Sequence, residues 1–422
     1  MSIDADALVI GAGPAGASTA IRLAAAGWDV VLAEKSRYPR QKVCGECIAA
    51  GNLELLDELG IGCEFRRLAG PDLRQVGWMS AARTVVADMP PCPDGPYRYG
   101  RALGRDRLDV LLLERARSVG VRVLQPARVR TVAGGPGQFE CEYEASVDRL
   151  RIAPEGRTER TLRARVVIDA HGSWERAPAF TCKATGTVTH APRLNSDLFA
   201  FKASFRNTRV PIGFLPVLAL NGGYGGMVVA EDGRTTIACC IRRDALQSWR
   251  GLAPGESAGI AIEGYLRRSC RGIRDSLENA IREGPWLSVG PVRTGVHIEA
   301  RGGVLRVGNA AGETHPLVGE GIGMALQSAA LLTRHLTCRS AAAFNWTRSL
   351  EVQAAYAASW KRKFAPRLRV AHAYASVAMN PALASPTGVL LRRLPKLLTV
   401  AARLAGKARA AASARTLLQE LT

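Results

Sequence analysis

The chain has no run of ~20 uninterrupted apolar residues, so no membrane-spanning helix is expected. Its ten cysteines in 422 residues lack dense, regular spacing, which excludes a disulfide-built scaffold and points to reduced thiols. The start, MSIDADALVI, lacks the basic residues and continuous apolar core of a secretory leader. The expected location is cytoplasmic. Internal repeats and low-complexity linkers are missing too, so the two lobes that a chain of this length needs must be interleaved. No G-x-x-x-x-G-K-[ST] or G-x-S-x-G motif occurs, and no Cys/His group has metal-ligand spacing, so no metal is expected. Acids are scarce: 57 Lys and Arg stand against 37 Asp and Glu, a net charge of +20. From Lys361 onward twelve Lys or Arg face one acid, Glu420, a net of +11. Such a surface attracts nucleic acid, anionic lipid or an acidic protein. Without a nucleic-acid motif, the expected partner is an acidic protein or carrier, or a membrane surface, and not DNA or RNA.

What is present is a well-packed composition, 47% hydrophobic, with informative punctuation. Residues 8–10 read as a strand, 15–26 as a helix and 29–33 as a second strand, one βαβ unit. Residues 108–118 read as a helix, 121–124 and 165–169 as strands. Between Ala200 and Arg243 the composition turns to strands, with a hairpin signal at Asp232-Gly233. VLRVGNAAG then returns to a strand and glycine turn, followed by a helix over 323–335. Everything after Ala341 reads helical. Pro395 suits a helix start, and Leu397, Leu398, Ala401, Leu404 and Ala405 form a single expected apolar stripe.

Gly11-Ala12-Gly13-Pro14-Ala15-Gly16 lies between strand and helix, where glycines permit a tight turn and the helix N-terminus faces a pyrophosphate. Glu34 ends the second strand, in place to accept bonds from an adenosine ribose. Two later segments narrow the choice: Arg105-Asp106-Arg107-Leu108-Asp109 opens a helix, and VGNAAGETHPLVGEGIGMALQSA joins a strand end, a glycine turn and a helix start.

The order GAGPAG, CGE, RxxLD and GNAAGxxxPLVGEGIG resembles the superfamily of FAD-dependent monooxygenases, flavin-dependent halogenases and geranylgeranyl reductases, the para-hydroxybenzoate hydroxylase-like fold. It covers roughly Ala5 to His335, the middle lobe by pattern alone. The fold class implied is α/β: a Rossmann-like FAD-binding domain interleaved with an antiparallel-sheet substrate domain, plus C-terminal helices. The expected divisions are residues 1–75, 100–175 and 285–340 for FAD, 76–99 and 176–284 for substrate, and 341–422 for the helical region.

The resemblance implies FAD as cofactor, held at Gly11, Gly13, Ala15, Gly16, Glu34, Cys44, Gly45, Arg105, Asn309, Pro316, Gly319, Gly321 and Ile322. Arg105 would meet the pyrophosphate. Asn309, where the family usually has Asp, keeps an acceptor and adds a donor. Gly319, Gly321 and Ile322 would lie by the pyrimidine edge, their N–H groups stabilising negative charge on the reduced ring. His315, Glu46 and His171 are the candidate acid–base residues, His315 first because its unperturbed pKa suits the task. His171 stands where many ring hydroxylases have Asp, which argues against fast direct reduction by NADPH. The electron source is then NAD(P)H or a separate reductase.

The leading expectation is hydroxylation of an aromatic substrate through a flavin hydroperoxide, the substrate being carrier-tethered or a protein-embedded tryptophan as in tryptophylquinone biogenesis. The alternatives are a geranylgeranyl reductase-like enzyme saturating prenyl double bonds, and a non-catalytic binding protein of the same fold.

Overall fold

The computed structural model describes residues 2–81, 83–146, 157–173, 179–181, 194–251, 255–299 and 302–408. The apolar run at Ala5–Ile10 forms a buried strand hydrogen-bonded in parallel to Val30–Ala33 on one side and Arg157–Asp169 on the other. Such two-sided burial is what a continuous Val/Ile/Leu run specifies. The full sheet runs from Ala179–Thr181 through Ala127–Gly135, Gln138–Ser146, Arg157–Asp169, Ala5–Ile10 and Val30–Ala33 to Arg122–Leu124, with Leu305–Arg306 added beside Arg157–Asp169. The carboxyl ends of Ala5–Ile10 and Arg157–Asp169 come level, Ile10 opposite Asp169. At this edge an α/β sheet binds its ligand.

A second sheet of seven strands is ordered Ile281–Val292, Leu198–Arg206, Thr235–Arg242, Gly223–Val229, Phe214–Leu220, Gln75–Ser80, Arg83–Asp88. It is antiparallel except where Phe214–Leu220 runs parallel to Gln75–Ser80. The strand Ile281–Val292 passes through the expected division at residue 284. The Asp232 turn joins Gly223–Val229 to Thr235–Arg242, with Asp232 at φ 53°. Period-two alternation gives this sheet two apolar faces. Phe201, Ala203 and Phe205 pack on the helices of residues 243–276, while Leu198 and Ala200 share a core with the C-terminal helices.

The expected helix after the second glycine turn begins earlier and ends later, at Gly321–Thr337. The C-terminal region comprises the helices Trp346–Met379, Pro381–Arg393 and Lys396–Leu404, the last capped by Pro395. Its expected single stripe divides: Leu398 is buried and Ala401 and Ala405 are half-buried, whereas Leu397 and Leu404 face out. An unbroken apolar pattern carries no sign of which side is inside. Among the described residues, no helix is long and apolar enough to cross a membrane.

Candidate functional site

Gly11 has φ 102°, a conformation open to glycine, and a Cβ there would lie 2.6 Å from the carbonyl of Ala170. A Cβ on Gly16 would lie 1.8 Å from the carbonyl of Gly11, so helix and turn approach as only glycine allows. Gly13 caps the helix Pro14–Ala25 without any side-chain acceptor, and its ideal Cβ would stand 3.5 Å from Nη2 of Arg105. The helix N-terminus and this guanidinium therefore border one space.

That space is a cavity of about 620 Å³, lined by Gly11, Gly13, Ala15, Glu34, Cys44, Gly45, Glu46, Arg105, His171, Asn309, Pro316, Gly319, Gly321 and Ile322 among others. Gly16 stands behind the lining, in the turn's own packing. Glu34 is buried, and its two oxygens accept from the backbone N–H groups of Ala12 at 2.9 Å and Ser36 at 2.8 Å. Arg105 holds Asp109 through two 2.8 Å bonds. Burial acts to lower the Arg105 pKa, but the Asp109 carboxylate outweighs it and holds the guanidinium charged. A fixed cation thus sits across from the uncapped helix N-terminus, the arrangement a pyrophosphate requires. Within the same lining, the Thr314 hydroxyl is buried with no hydrogen-bond partner among the described residues. The cradle at Gly13, the cation and this hydroxyl fit FAD.

The FAD binding domain family matches residues 4–249. The chain belongs to that family. It is an FAD-dependent oxidoreductase of the monooxygenase, halogenase and reductase superfamily. The chain is 28% identical over 366 residues to a menaquinone reductase of Mycobacterium tuberculosis, covering 81% of this chain and 79% of that protein. It is 29% identical to digeranylgeranylglycerophospholipid reductase 1 of Methanopyrus kandleri, covering 76% and 77%. The myxobacterial chondrochloren halogenase CndH shares the fold at TM-score 0.71 and 21% identity, over 94% of this chain and 90% of that one.

The expected acid–base residues occupy different settings in this family frame. His171 lines the FAD cavity, its Nδ1 bonded to the fully buried Asp169, which fixes the ring. Asn309 donates to the Ser173 hydroxyl at 2.7 Å. Glu46, at φ 60°, is buried and takes three donors: Lys202 Nζ, the Thr236 hydroxyl at 2.5 Å and the backbone N–H of Arg105 at 3.1 Å. Lys202 and Thr236 belong to the second sheet, so Glu46 ties the two lobes together. A carboxylate so fully paired is better placed to hold geometry than to carry protons as the expected pocket acid.

His315 is buried and lines neither cavity. Its Nδ1 lies 3.0 Å from the Tyr224 hydroxyl, and its Nε2 lies 3.2 Å from Nδ1 of His372 and 3.4 Å from the Thr294 hydroxyl. Burial first, then the neighbouring His372, brings the His315 pKa down to about 4, so the ring is neutral at pH 7. His372 lies at the surface of the long helix. Tyr224 is buried on the wall of a second cavity, its pKa pushed well above 10 by burial and by Cys240. A chain of hydrogen-bonding groups therefore runs from solvent at His372, through His315, to the Tyr224 hydroxyl.

This second cavity, of about 390 Å³, shares Val43, Cys44, Gly45, Cys47, Pro316 and Gly319 with the first. Its walls include Trp78, Phe201, Met227, Leu317, Leu391 and Leu398. Lys407 borders it, 3.6 Å from Glu320 and within 3.3 Å of the Gly319 carbonyl. Glu313, in the first cavity, has its carboxyl pushed up to about 7 by burial. Sequence reasoning missed Tyr224, His372, Lys202 and Glu313, because no local motif joins them to the glycine turns.

Proposed function

We propose that the protein reduces a carbon–carbon double bond in the isoprenoid chain of a lipid. The observation that carries this reading is the apolar cavity of about 390 Å³ that opens onto the FAD cavity through Cys44, Gly45 and Pro316. A wall made mainly of aliphatic and aromatic side chains suits a substrate without polar groups to anchor. Two reductases similar to this chain are named for menaquinone and for a digeranylgeranyl lipid, and both substrates carry isoprenoid chains. Aromatic hydroxylation, the leading expectation from sequence, would call for polar groups to orient a phenol or indole. The polar groups on the cavity wall are few for its size, the Tyr224 hydroxyl, the Trp78 indole N–H, Tyr374, Thr387 and Lys407, and Lys407 is already held by Glu320 and the Gly319 carbonyl.

FAD, held beside the Gly13 turn and Arg105, would when reduced supply hydride chemistry to one carbon of the alkene. The chain's own residues supply the rest. The walls exclude water and hold the alkene by apolar contact beside Cys44 and Gly45. The second carbon needs a proton, and Tyr224 stands on the wall to give it from its hydroxyl. With the His315 Nδ1–H donating to Tyr224 and the His372 Nδ1–H donating to His315 Nε2, each proton moves one place inward as Tyr224 gives its own. The buried His315 stays uncharged at rest, which keeps the relay compatible with an apolar cavity.

The test is turnover by the reduced holoenzyme of menaquinone, a geranylgeranyl lipid and a simple phenol, with product masses read out. A gain of two hydrogens on either lipid supports the proposal. A gain of one oxygen on the phenol, with both lipids unchanged, restores the hydroxylase reading.

A further inference from the structure

We propose that the outer face of the two C-terminal helices, Pro381–Arg393 and Lys396–Leu404, docks on an anionic lipid bilayer; the cargo that would enter there rests on the isoprenoid reading above, the surface does not. Both helices carry apolar residues on an inner side and on an outer side. On the inner side, Leu391, Leu398, Ala401, Ala402 and Ala405 line the second cavity. On the outer side of the last helix, Leu397, Val400 and Leu404 follow one another at spacings of three and four residues and are 38%, 50% and 65% exposed. Leu383 and Leu390 of the preceding helix, seven residues apart, are 46% and 48% exposed, and Leu394 in the connection is 54% exposed. A helix that turns one face to the core and the other to water carries mainly polar residues on the second face. These carry leucines and a valine there, among basic residues.

The exposure is concentrated. Of fifteen large hydrophobic side chains exposed among the described residues, seven fall between Leu383 and Leu404, enough to form a patch in place of scattered singles. The charge around them has one sign. Arg392, Arg393, Lys396 and Arg403 are exposed beside the leucines, and the sequence holds no acid between Glu351 and Glu420. An acidic protein would account for the cations but not for the leucines. Apolar residues at the centre of a basic rim are the signature of a helix lying in a membrane interface, with leucines among acyl chains and cations among anionic headgroups. Neither helix is long and apolar enough to cross the bilayer. Because the same two helices roof the apolar cavity, a chain leaving the bilayer would pass from one apolar environment to the next without crossing water.

The test uses full-length FAD-loaded protein and flotation with vesicles of phosphatidylcholine alone or of equal parts phosphatidylcholine and phosphatidylglycerol. The protein is expected to float with the mixed vesicles. Leu397→Ser/Val400→Ser/Leu404→Ser and, separately, Arg392→Glu/Arg393→Glu/Lys396→Glu should each weaken that partitioning at least ~10-fold. Flavin absorbance, melting temperature and turnover of detergent-dispersed substrate should stay as in the parent protein, since none of the six side chains lines either cavity. Absence of flotation, or flotation unchanged in either variant, overturns the proposal; loss with charge reversal alone would mark an electrostatic surface of the kind an acidic protein uses. Vesicle binding by a protein that reduces no lipid would sink the isoprenoid reading and leave docking standing, and turnover of dispersed lipid without vesicle binding would do the reverse.

Discussion

The Tyr224 hydroxyl lies 3.0 Å from Nδ1 of His315, joining a strand of the second sheet to the loop that leads into the helix Gly321–Thr337. Tyr224 reaches the apolar cavity while His315 stands behind it, so the pair links solvent at His372 to the place where a substrate carbon would take a proton. Replacing Tyr224 by Phe removes the hydroxyl and keeps the ring. The expected result is a fall in turnover of about 10²–10⁴-fold with KM nearly unchanged, the range for losing a positioned proton donor. An unaltered kcat in Tyr224→Phe would show that the proton arrives by another route.

His315 also predicts a pH dependence of stability. Its pKa is about 4 in the folded chain against an ordinary 6.5, so below pH 6.5 the unfolded chain binds the extra proton more readily. The stabilising contribution of neutral His315 is complete above pH 6.5 and lost as pH falls from there toward 4. It amounts to about 3 kcal/mol. Denaturant unfolding of His315→Gln should therefore be flatter than the parent between pH 6.5 and 4. Parallel curves for the two proteins would contradict the burial argument.

Glu46 and Lys202, 156 residues apart in sequence, form a buried ion pair across the lobes. Removing one partner leaves the other charge in an apolar setting, a cost of about 3–5 kcal/mol. Lys202→Met should therefore destabilise the protein far more than Lys202→Met combined with Glu46→Leu. Equal losses in the single and double variants, measured by chemical denaturation, would mean that the pair is solvated.

The glycine turn, the βαβ unit and Arg105 were legible in the sequence because each is a local pattern whose geometry follows from residue type. The division of the last helix into two apolar faces was not, since Leu397 and Leu398 are adjacent and equally apolar, and only tertiary packing separates inside from outside. The Tyr224–His315–His372 line was illegible for another reason. Its members are 91 and 57 residues apart, on elements of three different kinds, and nothing near Tyr224 in sequence marks it. The sequence marks His315 by its pKa in water, yet burial takes it well below that value and keeps the ring out of the cavity lining. The sequence marks Glu46 as an acid, and its pairing with Lys202 depends on a sheet whose register no local motif announces.

At the FAD site, Gly13 has φ −71° and ψ −177°, which any residue can adopt. Gly13→Val should thus fold normally while its side chain occupies the space beside Arg105 where the pyrophosphate belongs. The purified variant is expected to be colourless with an intact thermal transition. Flavin absorbance equal to the parent's would move the cofactor elsewhere.

The most direct measurement for the central claim is anaerobic mixing of the reduced holoenzyme with an isoprenoid lipid, following flavin absorbance and product mass together. The account predicts that oxidised-flavin absorbance returns without oxygen, in step with a product two hydrogens heavier than the substrate. Absorbance that returns only when air is admitted, with a product one oxygen heavier, would contradict it.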